Sequence, residues 1–240
     1  MSTDHQVGVV TGATSGIGKA IALAFAGLGM SLCLVGRDQK RLEAIAAETE
    51  ALSARVVAYR ANLECDEDIR RVVSGLQNDF GGLNVLVHSA GLFRMGPVEQ
   101  APVAELDLLY RTNVRAPYAL TQALLPMICS RSGQIVFINS SAGLVARPNV
   151  AAYASTKHAL KAIADSLRAE VNASGVRVIT VYPGRTATPQ QQSIHEQEGK
   201  PYRPNQLLQP EDVAKAVVNA LSMPRTAEVT DISIRPMQKA

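Results

Sequence analysis

The stretch QVGVVTGATSGIG, residues 6–18, decides how the rest of the chain is read. A short apolar run ends in a glycine-rich turn, and a helical pattern follows at once, near 17–29. Gly12 permits a tight turn. Gly16 and Gly18 carry no side chain, so backbone can approach a pyrophosphate and the helix can pack close to the strand. Unpaired N–H groups at the helix start, together with the helix dipole, favour an anion there. The spacing is G-x-x-x-G-x-G. Such a turn can exist without a ligand; the strand–turn–helix setting is what points to a dinucleotide.

Working outward, the same alternation recurs along the chain. Apolar runs lie at 6–12, 31–36, 55–61, 83–91, 133–140, 176–184 and 228–236. Most are continuous, as strands buried on both faces should be. Helical patterns lie between them, near 39–52, 66–79, 99–128, 152–174 and 210–222, with Pro210 a reasonable helix start. This predicts an α/β fold: a doubly wound parallel sheet of about seven strands with helices on both faces. No linker, repeat or low-complexity segment divides residues 1–240, so one domain is expected. The exception is 185–209, RTATPQQQSIHEQEGKPYRPNQLLQ, which is polar, rich in Gln and Pro, and long for a plain connection. It reads as a loop that controls the substrate.

The second apolar run ends in LVGRD, residues 34–38. An acid at that strand end would bind a ribose 2′-hydroxyl, as NAD needs. Here Gly36 holds the place and Arg37 follows. A guanidinium suits a 2′-phosphate, so NADP(H) is preferred, with NAD(H) possible. Asp38 leaves an alternative open: it could pair with Arg37, or enter the ribose site if the strand runs on.

Composition narrows the classes further. Of 240 residues, 47% are hydrophobic, enough for a large core without disulfide or metal. The 24 basic residues nearly balance the 21 acidic ones and form no basic run, which argues against nucleic acid. Cys33, Cys65 and Cys129 form no C-x-x-C pair and read as reduced cytoplasmic thiols. His5, His88, His158 and His195 lack metal-ligand spacing. The N-terminus has no secretion-signal pattern, and no apolar run is long enough to cross a bilayer.

Residues 153–157, YASTK, place a phenol and an ammonium four positions apart. On a helix those positions share one face. A free tyrosine has a pKa of about 10, too high for easy proton exchange near neutrality. A neighbouring ammonium would stabilise the phenolate and lower it. Tyr153 and Lys157 therefore read as a proton-transfer pair, although any Y-x-x-x-K can also be an ordinary surface helix.

TGATSGIG, HSAG at 88–91, Asn113 in RTNVRAPY, Ser140 thirteen residues before Tyr153, YASTK and VYPGRTAT at 181–188 form an ordered set. In that order they resemble the short-chain dehydrogenase/reductase family over most of the chain. The resemblance implies a single Rossmann-like domain and interconversion of a carbonyl and a secondary alcohol. Tyr153 would be the general acid or base, and Lys157 would tune it and bind the nicotinamide ribose. Ser140, favoured over Ser141 by spacing, would hold the substrate oxygen. Asn113 would help hold a proton-relay water, unless it only bonds local backbone. The cofactor set would include Gly12, Thr14, Ser15, Gly16, Ile17, Gly18, Arg37, Asn62, Leu63, Ser89, Ala90, Gly91, Pro183, Gly184, Thr186 and Thr188. Thr188 could bond the nicotinamide carboxamide or stabilise its own turn.

Three departures stand out. His88 and Ser89 replace the usual asparagines. Asn62 stands where an acid often meets the adenine amine. The end, EVTDISIRPMQKA, lacks the family's common glycine-rich close and loosely resembles the branch acting on small 3-hydroxy acids. Arg94, Met95, Arg147 and Tyr202 fall in segments that border the family's pocket, with Arg147 or Arg94 a candidate clamp for an anionic substrate. His195 could meet a substrate. The resemblance implies a small-molecule substrate, no nucleic acid or membrane partner, and a homodimer or homotetramer, consistent with the apolar load of 99–128 and 152–174. Two alternatives remain: a non-catalytic NADP(H)-binding sensor or scaffold, and a ketoacyl-thioester reductase.

Overall fold

The computed structural model describes residues 6–53 and 55–238; the reading of the extreme N-terminus and of His5 lies outside them. The described residues form seven strands: β1 (Val7–Thr11), β2 (Ser31–Gly36), β3 (Val56–Arg60), β4 (Val85–His88), β5 (Gln134–Ile138), β6 (Arg177–Pro183) and β7 (Asp231–Ile234). They form one parallel sheet in the order β3-β2-β1-β4-β5-β6-β7. The continuous apolar runs are the buried strands: every residue of β1, β4, β5 and β6 is inside. At the edge, β7 alternates exposed and half-buried residues.

Among the described residues, eight α-helices flank the sheet: α1 (Gly16–Ala26), α2 (Gln39–Glu50), α3 (Asp66–Phe80), α4 (Val103–Tyr110), α5 (Ala116–Cys129), α6 (Ala151–Val171), α7 (Pro189–Gln197) and α8 (Pro210–Leu221). Two separate apolar cores result. One joins α1 and α8 to one face through Ile21, Phe25, Leu34 and Val217. The other joins α3, α5 and α6 to the opposite face through Leu76, Leu124, Phe137 and Leu160. Strand order reverses on either side of β1, which opens a crevice at the carboxyl ends of β1 and β4.

Two segments differ from expectation. The single helix expected over 99–128 is α4, a π-helical turn at Arg111–Arg115, and α5. The cause is local. Pro117 has no N–H to give the carbonyl four residues back, that of Asn113, and Asn113 itself is pulled sideways by bonds to Leu92. The segment 185–209 is not a plain loop. It contains α7 and a 3₁₀ turn at Pro204–Gln206, and Thr186 pairs with Leu208. Thr188 caps α7 by accepting from the Gln191 N–H at 3.1 Å, and Pro189 fits the first helical position.

Candidate functional site

The crevice is a cavity of about 510 Å³. Its floor is the glycine turn. Gly12 has φ +66°, and a Cβ there would press on the Ala90 backbone at 2.8 Å. A Cβ at Gly18 would overlap the Gly12 carbonyl oxygen, so only glycine lets α1 start this close to β1. Ser15, the N-cap of α1, does not spend its hydroxyl on the helix. The turn therefore offers hydrogen-bond donors to an anion in the cleft. Thr11 Oγ1 accepts from the N–H groups of Ser89 and Ala90, both at 3.1 Å, and so fixes the end of β4 against β1.

Gly12, Thr14, Ser15, Gly16, Ile17, Arg37, Asn62, Leu63, Ser89, Ala90, Gly91, Tyr153, Lys157 and Thr188 all line this cavity. Gly18 lies beneath it. β2 ends at Gly36, and Asp38, which also lines the cavity, caps α2, accepting from the Arg41 N–H at 3.1 Å. Its other oxygen pairs with Arg41 Nε at 3.4 Å. Arg41 lines the cavity with Arg37, a second guanidinium that sequence reading missed although it sits one helical turn on. Asn62 uses its amide oxygen to accept from the Glu64 N–H at 3.2 Å. Glu64 also faces the cleft, held by Thr112 Oγ1 at 2.8 Å.

A second cavity of about 210 Å³ adjoins the first, and Tyr153, Asn139, Ile17, Thr188 and Gln190 line both. Ser140 and Ser141 line only the second. So do Pro183, Gly184 and Thr186, which were expected on the dinucleotide side. The reason is the parallel register that carries β6 past the cleft, with Gly184 N donating to Ile234 O and Thr186 Oγ1 donating to Gly184 O.

Tyr153 and Lys157 lie one turn apart on α6, both buried. Lys157 Nζ sits over the Tyr153 ring, 5.7 Å from its centre, and donates to Ile138 O at 3.3 Å. The expected lowering of the phenol pKa is not found. Burial pushes Tyr153 up to about 12, against an opposing pull from the nearby Ser140 hydroxyl. Burial brings Lys157 down to about 8. Desolvation of the phenol is the larger effect at this buried position. Phe93 packs edge-on against Tyr153 at 4.8 Å. Asn113 is buried and bonds distant groups: Oδ1 accepts from Leu92 N–H at 2.8 Å, and Nδ2 donates to Leu92 O and Thr156 Oγ1. It ties the strand-end loop to α6, and Pro117 leaves its backbone carbonyl without the usual helical donor.

The other singled-out residues divide cleanly. His88 stacks on Phe137 and bonds Thr121 Oγ1 at 2.7 Å; burial brings its pKa down to about 3, so it stays neutral. His158 bonds its own helix at Ala154 O. His195 is buried beneath Tyr202, bonds Gln191 O, and lines neither cavity. Arg94 pairs with Glu105 at 3.7 Å, away from the cavities, whereas Arg147 lines the second. Arg185 and Glu198, both unforeseen, line it too, joined by hydrogen bonds of 2.7 and 2.9 Å. No group of three or more His, Cys, Asp or Glu residues that could hold a metal occurs among the described residues.

A sheet with this switch point and a glycine turn beside a Ser–Tyr–Lys set defines a nucleotide-binding oxidoreductase class. The chain belongs to the short chain dehydrogenase family, whose model matches residues 6–199. It is 33% identical to an uncharacterized oxidoreductase of Staphylococcus epidermidis over 234 residues, 97% of this chain and 98% of that one. Among solved structures it resembles an alcohol dehydrogenase from Thermococcus sibiricus complexed with 5-hydroxy-NADP, with TM-score 0.89, 28% identity and 98% of each chain covered. A metagenomic short-chain oxidoreductase in complex with NADP superposes with TM-score 0.85 at 30% identity, over 100% of both chains.

Proposed function

We propose that this oxidoreductase interconverts a carbonyl and a secondary alcohol and prefers NADP(H). The observation that carries the reading is the position of Tyr153, whose ring lines both cavities, with Ser140 on one side and Lys157 on the other. The larger cavity fits the dinucleotide. Its glycines accept no Cβ where backbone must approach a phosphate, and Ser15 keeps a free hydroxyl at a helix start. Arg37 and Arg41, which both line the cavity, would hold the 2′-phosphate. Gly12, Thr14, Ser15, Gly16, Ile17, Asn62, Leu63, Ser89, Ala90 and Gly91 would hold the rest, with Lys157 at the nicotinamide ribose. The NADP bound to the two similar structures supports this preference.

The reduced nicotinamide would supply a hydride to the carbonyl carbon. Ser140 would donate a hydrogen bond to the carbonyl oxygen, and Tyr153 Oη would give that oxygen its proton. Burial keeps the phenol protonated, and proton donation from it would draw on Ser140 and the Lys157 ammonium to stabilise the phenolate as it forms. Asn113, with its carbonyl released by Pro117, would hold the water that returns the proton. Thr188 Oγ1 accepts from the Gln191 N–H in capping α7 and still has its own proton to donate, so it would both seat that helix over Gly16 and reach the nicotinamide carboxamide.

We take residues 1–240 as one nucleotide-binding domain in which 185–209 shapes the substrate cavity. The unpaired thiols suit a cytoplasmic setting. Val103, Leu106 and Tyr110 on α4 and Tyr118 on α5 are exposed, which supports a homodimer or homotetramer; light scattering would give the mass. The decisive experiment follows NADPH absorbance with a panel of carbonyls. Tyr153→Phe should lose about 10²–10⁴-fold in kcat while NADPH still binds. Full activity in that variant would overturn the reading.

A further inference from the structure

Asn139 lines both cavities, belongs to neither the glycine turn nor the Ser–Tyr–Lys set, and lies immediately before Ser140. It is 4% exposed and lies between β5 and Ser140. Its backbone N–H donates to Val181 O at 2.8 Å, which continues the sheet one residue past β5. Its side-chain Nδ2 donates to Lys157 O at 3.0 Å. Its Oδ1 is buried without any donor.

A second bond runs the opposite way between the same two segments. Lys157 Nζ donates to Ile138 O at 3.3 Å. Two adjacent residues at the end of β5 thus grip both the backbone and the ammonium of one residue on α6. Gly143 closes the arrangement from below. A Cβ there would press on Asn139 Oδ1 at 2.7 Å and on Lys157 O at 3.0 Å. Ser140 sits inside this packing, its carbonyl accepting from the Gly143 N–H at 2.9 Å.

We propose that Asn139 is a positioning residue: by clamping the end of β5 to the backbone of Lys157, it sets where the Lys157 ammonium and the Ser140 hydroxyl stand relative to the Tyr153 phenol. An asparagine is what this place requires. Aspartate has no donor for the Lys157 carbonyl, and an aliphatic side chain of similar size has neither donor nor acceptor. A buried oxygen without a donor is unfavourable, and the amide tolerates it because its other end makes the clamp. The inference rests on the roles proposed above for Tyr153 and Lys157.

Asn139→Leu keeps the volume and removes the clamp. We expect kcat for carbonyl reduction to fall about 10-fold or more, with the Kd of NADPH unchanged within about twofold. The rising limb of the pH profile for alcohol oxidation should move to higher pH, because the phenolate loses a well-placed ammonium. Gly143→Ala, which pushes on the same two atoms with Asn139 intact, should move it the same way. A readout without turnover is the pH dependence of Lys157 acylation by an amine reagent in ligand-free protein, followed by mass spectrometry; its midpoint should shift in both variants. A role in folding alone would lower Tm and leave the pH limb and that midpoint where they are, and this result overturns the inference. Tyr153→Phe separates the two readings. If that variant is inactive while Asn139→Leu keeps the wild-type limb, only the clamp is wrong; if it is fully active, both fall.

Discussion

The glycine turn at 12–18 and the segment 185–209 meet where Gly16 touches Thr188, yet they hold their shapes by different means. The turn is shaped by backbone. Gly12 and Gly18 stand where a Cβ would strike the Ala90 main chain or the Gly12 carbonyl, and Gly16 holds a left-handed backbone at φ +53°. The segment is shaped by side chains. Thr188 caps α7, Arg185 grips Glu198, and His195 packs beneath Tyr202. Backbone constraint is absolute and local. Side-chain latching is graded and can be released, which would suit the substrate-shaping role proposed above for this segment.

The sharpest way to break this contrast is to add one methyl group to each region. Gly18→Ala places a Cβ against the Gly12 carbonyl oxygen, with no flexible atom to yield. Urea unfolding should show a loss of about 3 kcal/mol or more, with NADPH affinity down at least about 100-fold. Gly199→Ala is the counterpart at the end of α7. Gly199 has φ +64° but nothing within 4 Å of an added Cβ. Only the left-handed backbone is strained there, so the loss should be about 1 kcal/mol with NADPH binding intact. Equal losses would show that the two regions do not differ in kind.

The same contrast explains what could be read from the sequence. The buried strands show as continuous apolar runs because both faces of the sheet are covered, and the turn shows because glycine has few other reasons to recur at that spacing. The Tyr153–Lys157 pair shows in the sequence as a shared helix face, and Ser140 is picked out only by the ordered set of motifs that carries the family resemblance. Helix α7 was not, since only Gln191, Ile194 and His195 are buried and no apolar period marks it. Asn139 was hidden because its partner, the Lys157 carbonyl, is a backbone atom eighteen residues away. The Tyr153 pKa was misjudged for a related reason. Spacing shows that an ammonium is near, while burial, which outweighs it, emerges only from packing by residues such as Phe93.

A second test probes a side-chain feature on the backbone-built side. Arg37 and Arg41 face the cleft, where Asp38 also lies while capping α2 and pairing with Arg41. Replacing both arginines with alanine should weaken NADPH about 100-fold, or about 2.7 kcal/mol, in a fluorescence titration. NADH should change by less than about threefold, since it carries no 2′-phosphate. A parallel loss for both cofactors would mean that the arginines support the cleft instead of reading the phosphate.

The smallest effect is expected at the latch. Arg185 and Glu198 are half-exposed partners, with side chains 30% and 18% exposed, so their pair contributes less than about 1 kcal/mol to global stability. Burial alone would raise the Glu198 carboxyl, but hydrogen bonds from Arg185 and then Lys200 outweigh it and hold it below the usual carboxylate range. A depressed carboxyl stabilises fully above its unfolded pKa of about 4.3 and loses that contribution as pH falls through the folded value. The latch is therefore closed at neutral pH and opens only in acid. Arg185→Gln should leave Tm and NADPH affinity nearly unchanged. Amide exchange in α7 should quicken about fivefold, and KM for a carbonyl should rise a few-fold, because the segment carrying Gln191, Ile194 and Glu198 is looser over the second cavity. If this variant instead unfolded the protein as Gly18→Ala does, the segment would belong to the rigid frame, and substrate choice would have to come from Arg147 and Phe93 on the opposite wall.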